Sequence, residues 1–217
     1  VVLEDAGLVT SNAFLSLSPG PFNEPGTVAI TSLVNNNNSL FSVPPAFDLA
    51  GNLTFTPAPN SNGVATVTVI AQDDTLPTGL FSTNSFTITV LSVNDAPTLT
   101  ITNFVINVVT NSGGFGGVLG ATTTLGAPNE TDQGPVAFLI TNNNNALFST
   151  QPSANQGGSI GFSVAPGQQG TAILYVRVQD RGGRANGGVD VSDPVLVTVN
   201  VSPANAAPTL TLGATSI

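Results

Sequence analysis

The chain has 217 residues, 12 of them acidic and 3 basic, giving a net charge of −9 with no histidine and no cysteine. Disulfides, thiolate metal sites, histidine bases and histidine–zinc centres are thereby excluded. The basic residues are Arg177, Arg181 and Arg184, so there is no lysine for a Schiff base, and an acidic chain without a basic patch does not bind nucleic acid.

Charged residues make up 7% of the chain, against about 25% in an ordinary soluble domain. The surface is left to Asn, Thr, Ser, Gln and Gly, which suits an assembled, glycan-coated or extracellular protein. A hydrophobic share of 41% is enough for a core. No apolar run approaches the roughly 18 residues that a membrane-spanning helix needs.

In chain order, alternation marks Val64–Ala71 (VATVTVIA), Ser85–Leu91 (SFTITVL), Thr98–Thr102 (TLTIT), Ala172–Val178 (AILYVRV) and Val195–Val201 (VLVTVNV). Runs rich in Val, Ile, Thr and Phe with period 2 predict half-buried strands. Gly, Pro, Asn and Ser clusters punctuate them, and no amphipathic helix stands out. Many short strands so spaced predict β-sandwiches.

The pattern occurs twice. Leu33–Ser42, with its run Asn35–Asn38, returns as Ile140–Ser149 with Asn142–Asn145. Leu53, Phe55, Ala65, Val67 and Val69 return as Ile160, Phe162, Ala172, Leu174 and Val176. Asn94–Thr100 returns as Asn205–Thr211. The tail from Pro208, PTLTLGATSI, also repeats the opening of the second copy at Pro97, PTLTITNFVI, which places Ile217 on Ile106. Beyond that point Val108, Val109 and Gly113 match Val2, Leu3 and Gly7. The tail thus reads as the first strand that the first copy lacks.

Val93-Asn94-Asp95-Ala96-Pro97-Thr98 resembles the junction of bacterial cadherin-like and Ig-like tandem repeats, and Glu4-Asp5-Ala6-Gly7 resembles their opening. Leu40–Asp73 resembles their middle, and Gln179–Asp190 their glycine-rich hairpin. The resemblance covers essentially the whole chain. It implies secreted surface proteins of bacteria: adhesins, matrix components or fibres. It fixes no ligand, since one fold hosts many functions.

Junctions of this type gather oxygen ligands for calcium, which takes six to eight of them. The residues so implied are Glu4, Asp5, Asp73, Asp74, Asn94 and Asp95. The second copy departs from that pattern, with Thr110-Asn111 at Glu4-Asp5 and Ala206 at Asp95. The competing reading is that these acids cap turns through their side chains. The Asn runs read as loops between strands, or as a ladder of amides for a sugar or a neighbouring subunit. Asn37, Asn52, Asn129 and Asn200 head Asn-x-Ser/Thr sequons and are candidate glycan sites.

The expectation is an all-β chain of two tandem Ig-like or cadherin-like sandwiches. Residues 1–96 form one that lacks its first strand, residues 97–207 the other, and residues 208–217 a linker or donor strand. That strand, with Pro208, Thr209, Leu210, Thr211, Leu212 and Ile217, completes the first domain of a following copy. The expected role is a structural protomer of an extracellular fibre or stalk whose partners are copies of itself and covalent glycans. The strand is either donated between subunits or continuous within a longer polypeptide. The alternative is an adhesin module that binds surface glycans or a host partner. Calcium is the single candidate cofactor. Catalysis is not expected: no His or Lys can activate a hydroxyl, and adjacent Asp73 and Asp74 on a strand point to opposite faces.

Overall fold

Alternation sets which side chains are inside. Along Gly63–Asp73, Ala65, Val67, Val69 and Ala71 are buried while Val64, Thr66, Thr68 and Ile70 are less so. A strand with one apolar face must bury it against a second sheet. The computed structural model describes residues 1–20, 26–74, 79–134, 136–211 and 213. These fall into two units. The first comprises Val1–Asn94 with Ala127–Asn129 and Arg184–Gly188, and the second the remainder.

The first unit contains β1 (Val2–Leu3), β2 (Val9–Ser11), β3 (Val28–Asn35), β4 (Phe41–Phe47), β5 (Leu53–Pro57), β6 (Gly63–Asp73) and β7 (Phe81–Leu91). One sheet has the order β1-β7-β6-β3 and the other β2-β5-β4. Leu40, Phe41, Leu53, Phe55, Ala65, Val67, Ile88 and Val90 form the core between them. Pro44 and Pro45 fall in β4, an edge strand, where a missing N–H breaks no inner ladder.

The second unit contains β8 (Thr98–Ile101), β9 (Val105–Val109), β10 (Gly114–Val118), β11 (Ala121–Thr124), β12 (Ala137–Asn142), β13 (Phe148–Ala154), β14 (Ser159–Val164), β15 (Gly170–Gln179) and β16 (Val195–Ser202). Its sheets run β12-β15-β16-β9 and β10-β14-β13, with a two-stranded ribbon β11-β8. The core includes Ile101, Leu119, Leu147, Ile160, Leu174, Val176, Val197 and Val199.

The Asn runs do the same work in both units. Asn36 Oδ1 accepts the Thr66 N–H at 2.7 Å, and Asn143 Oδ1 accepts the Ile173 N–H at 2.8 Å. Each run leads into one turn of 3-10 helix that delivers a buried leucine, Leu40 or Leu147. Among the described residues no helix is long and apolar enough to cross a membrane.

Candidate functional site

The two units differ at β8. In the second, Thr98–Ile101 lies antiparallel on Ala121–Thr124, with Ile101 opposite Ala121 and Thr100 opposite Thr122. This strand also packs on β15 and β16. Leu99 and Ile101 turn inward, and Ile101 is only 1% exposed. The chain then runs as β9 parallel to β16, placing Val105 beside Thr198, Ile106 beside Val199 and Val108 beside Val201.

In the first unit the described residues contain a counterpart of the end of that path. Val2 lies beside Val90 and Leu3 beside Leu91, again in parallel. Among the described residues no strand takes the place of β8, and none pairs with the outer edge of β7 at Thr87–Thr89. The counterpart of β11 is Leu17–Gly20, because the Leu15 N–H donates to Gly51 O at 3.0 Å as the Leu119 N–H donates to Gly158 O at 3.0 Å. Gly51 and Gly158 share a left-handed backbone, and a Cβ on Gly51 would collide with Leu15 O.

Among the described residues this face carries a groove of 290 Å³ lined by Phe14, Leu17, Val28 and Phe86, by the buried Val69 and Ala71, and by serines and Asn84. Val69 and Ala71 are buried, as their second-unit counterparts Val176 and Val178 are, whereas Phe86 is half-buried where Val197 is fully buried. Leu17 is 41% exposed. Phe14 leans over Phe86, with ring centroids 4.7 Å apart, and Phe47 stands 6.2 Å from Phe14. The sequence reading did not single out these groove residues. The available signal was Phe86 where the second copy has Val197, a larger apolar group at a core position.

The segment that repeats β8 is free of such packing. Pro208–Thr211 are exposed and belong to no strand, and Leu210 is 87% exposed. Leu212 and Ile217 lie outside the described residues.

Of the six acidic and amide residues weighed for calcium, Asp95 belongs to the second unit and the others to the first. Glu4 is buried, and its Oε1 accepts the Val93 N–H at 2.7 Å. Asp5 holds a turn: with φ of 60° it accepts the Asn60 N–H at 3.1 Å. Asn111, also at φ 60°, accepts the Gly167 N–H at 3.2 Å in the same way. Aspartate and asparagine thus do one job, which needs only a side-chain Oδ1 and tolerance of the left-handed region.

Asp73 and Asp74 stand at the other end of β6, since its first residue Gly63 pairs with Val90 while Gln72 pairs with Phe81. Asp73 Oδ1 accepts the Leu80 N–H at 2.9 Å. Asp74 accepts the Thr27 N–H at 2.7 Å and the Thr27 hydroxyl at 2.8 Å, which hold its carboxyl below the usual range. In the second unit Glu130 Oε1 accepts the Asp95 N–H at 2.8 Å, and Asn94, in the first, is buried. Among the described residues no three His, Cys, Asp or Glu form a group that could hold a metal ion.

All four sequon amides donate within the fold. Asn37 Nδ2 donates to Val64 O at 3.3 Å, Asn52 Nδ2 to Asp48 Oδ2 at 2.8 Å and Asn200 Nδ2 to Asn107 Oδ1 at 3.0 Å. Asn129, which belongs to the first unit, donates to Glu4 Oε2 at 3.3 Å.

No family model matches the sequence, and no curated protein does. Among solved structures the chain is similar to human protocadherin-24 EC1-2 in one crystal form, with a TM-score of 0.50 and 18% identity over 93% of each chain. A second structure of human protocadherin-24 EC1-2 gives 0.48 at 18% identity over 94% of each chain. Chicken VE-cadherin EC1-2 gives 0.36 at 15% identity over 94% of this chain and 96% of that one. The likeness at a TM-score of 0.50 and 18% identity bears on fold alone, and the fold is that of cadherin-like β-sandwiches.

Proposed function

We propose that this chain is an extracellular structural module whose copies join head to tail into a fibre or stalk. One observation supports this above the rest. Among the described residues the first unit has a groove and no strand where the second has β8, and residues 208–212 repeat the sequence of that strand. Filling the face buries Leu210, worth about 1.5–3 kcal/mol for a side chain taken from water to a core. It also covers a β7 edge that would otherwise invite unspecific pairing. The same join serves separate subunits and a continuous longer polypeptide. The sparse charge and the Asn-, Thr- and Ser-rich surface fit life outside the cell.

Electron microscopy with size analysis of the chain, with and without residues 208–217, tests this reading. Filaments from the full chain and folded monomers from the shortened one are expected. If both remain folded monomers, the reading falls and a surface adhesin module takes its place.

A further inference from the structure

Resting on that reading, the second unit offers a template for the joining strand. We propose that Thr209–Leu212 of one copy lies antiparallel on Leu17–Gly20 of the next, with Thr211 directly opposite Ser18. The second unit is the template. There Thr100 stands opposite Thr122, and Leu99 and Ile101 turn inward while Thr98 and Thr100 face out. Pro97-Thr98-Leu99-Thr100-Ile101 corresponds to Pro208-Thr209-Leu210-Thr211-Leu212. Leu119 and Leu15 make the same backbone hydrogen bond, so Ala121 corresponds to Leu17 and Thr122 to Ser18.

Period 2 then sends Leu210 and Leu212 into the groove with Phe14 and Phe86, and leaves Thr211 beside Ser18 at the groove's exposed rim. The path continues by laying Ile217 parallel to β7 opposite Ile88, as Ile106 lies opposite Val199. The occupant is a second copy of this chain because its own sequence carries the strand. A register slipped by one residue would turn both leucines to water.

The chain has no cysteine, so introduced thiols report this contact alone. The full chain carrying Ser18→Cys and Thr211→Cys is oxidised mildly and run on a non-reducing gel. A ladder of covalent oligomers that collapses on reduction is expected. Ser18→Cys with Leu210→Cys, one residue out of register, should give no ladder. Mixing a Ser18→Cys chain with a Thr211→Cys chain should give a mixed dimer, which needs neither variant to assemble further. Normal filaments without ladder or mixed dimer would overturn the register but leave the head-to-tail reading standing. A disulfide confined to monomers would put the chain's own tail in the groove and overturn the second copy as its occupant. An unmodified chain that never associates would remove both.

Discussion

Val2 stands beside Val90 in the same parallel register in which Val108 stands beside Val201. The two pairs end strands of unequal length. In the second unit the strand reaches back through Val105 to a turn and to β8, which seals the core with Ile101. In the first unit β1 covers only Val90 and Leu91 of its neighbour. Among the described residues the first unit has no counterpart of β8, and no strand pairs with β7 at Thr87–Thr89 on the β1 side.

The core of the second unit should respond to truncation as its alternation dictates. Leu174 is fully buried, whereas Leu196, on the neighbouring strand, is half exposed. Leu174→Ala should cost about 2–5 kcal/mol and Leu196→Ala at most about 0.5 kcal/mol, read from urea unfolding. Equal costs would contradict the assigned faces of β15 and β16.

Glu4 acts as a buried acceptor for backbone. Glu4→Ala leaves the Val93 N–H without this partner and should cost about 1–3 kcal/mol. Glu4→Gln keeps an oxygen at the same reach and should cost less. Thermal melts of the two variants check the order, and a harmless Glu4→Ala would show that the hydrogen bond contributes nothing.

Asp74 should make the first unit acid-sensitive. The Thr27 backbone and hydroxyl donors hold its carboxyl below the ordinary range in the folded state. The unfolded chain therefore takes up the proton first as pH falls, so the contribution is present above the unfolded-state value and is lost through the folded one. Melting temperature against pH should fall more steeply for the wild type than for Asp74→Ala, the two curves converging in acid. Curves that stay parallel down to strong acid would rule this out.

Much of the fold was legible because a sandwich strand declares itself by period 2. VATVTVIA and VLVTVNV needed no partner to be read as strands, and the doubled Asn-run-to-leucine segment announced two copies of one fold. The candidate site was legible in half. Pro208–Thr211 could be read as a copy of Pro97–Thr100, but the groove could not be seen. Phe14, Val28, Val69 and Phe86 come together only once sheet order is known. The work of the acidic residues was not legible from their charge. Asp5 and Asn111 look chemically different yet hold identical turns, and Asp73 and Asp74 sit a whole strand away from Gly63, where β6 meets Val90.

Asn36 and Asn143 offer a check on the repeat itself. Each side chain accepts one backbone N–H of the neighbouring long strand. Asn36→Ala and Asn143→Ala should each cost about 1 kcal/mol, and the two costs should add, because the sites share no partner. Unequal or strongly coupled losses in chemical unfolding would show that the two runs do different work.

The most direct measurement is a cryo-electron microscopy reconstruction of whatever assembly the full chain forms. The account predicts a strand from a neighbouring copy along Leu17–Gly20, with Leu210 seated over Phe86 and Thr211 facing out beside Ser18. A filament whose copies touch elsewhere while that face stays bare would contradict it.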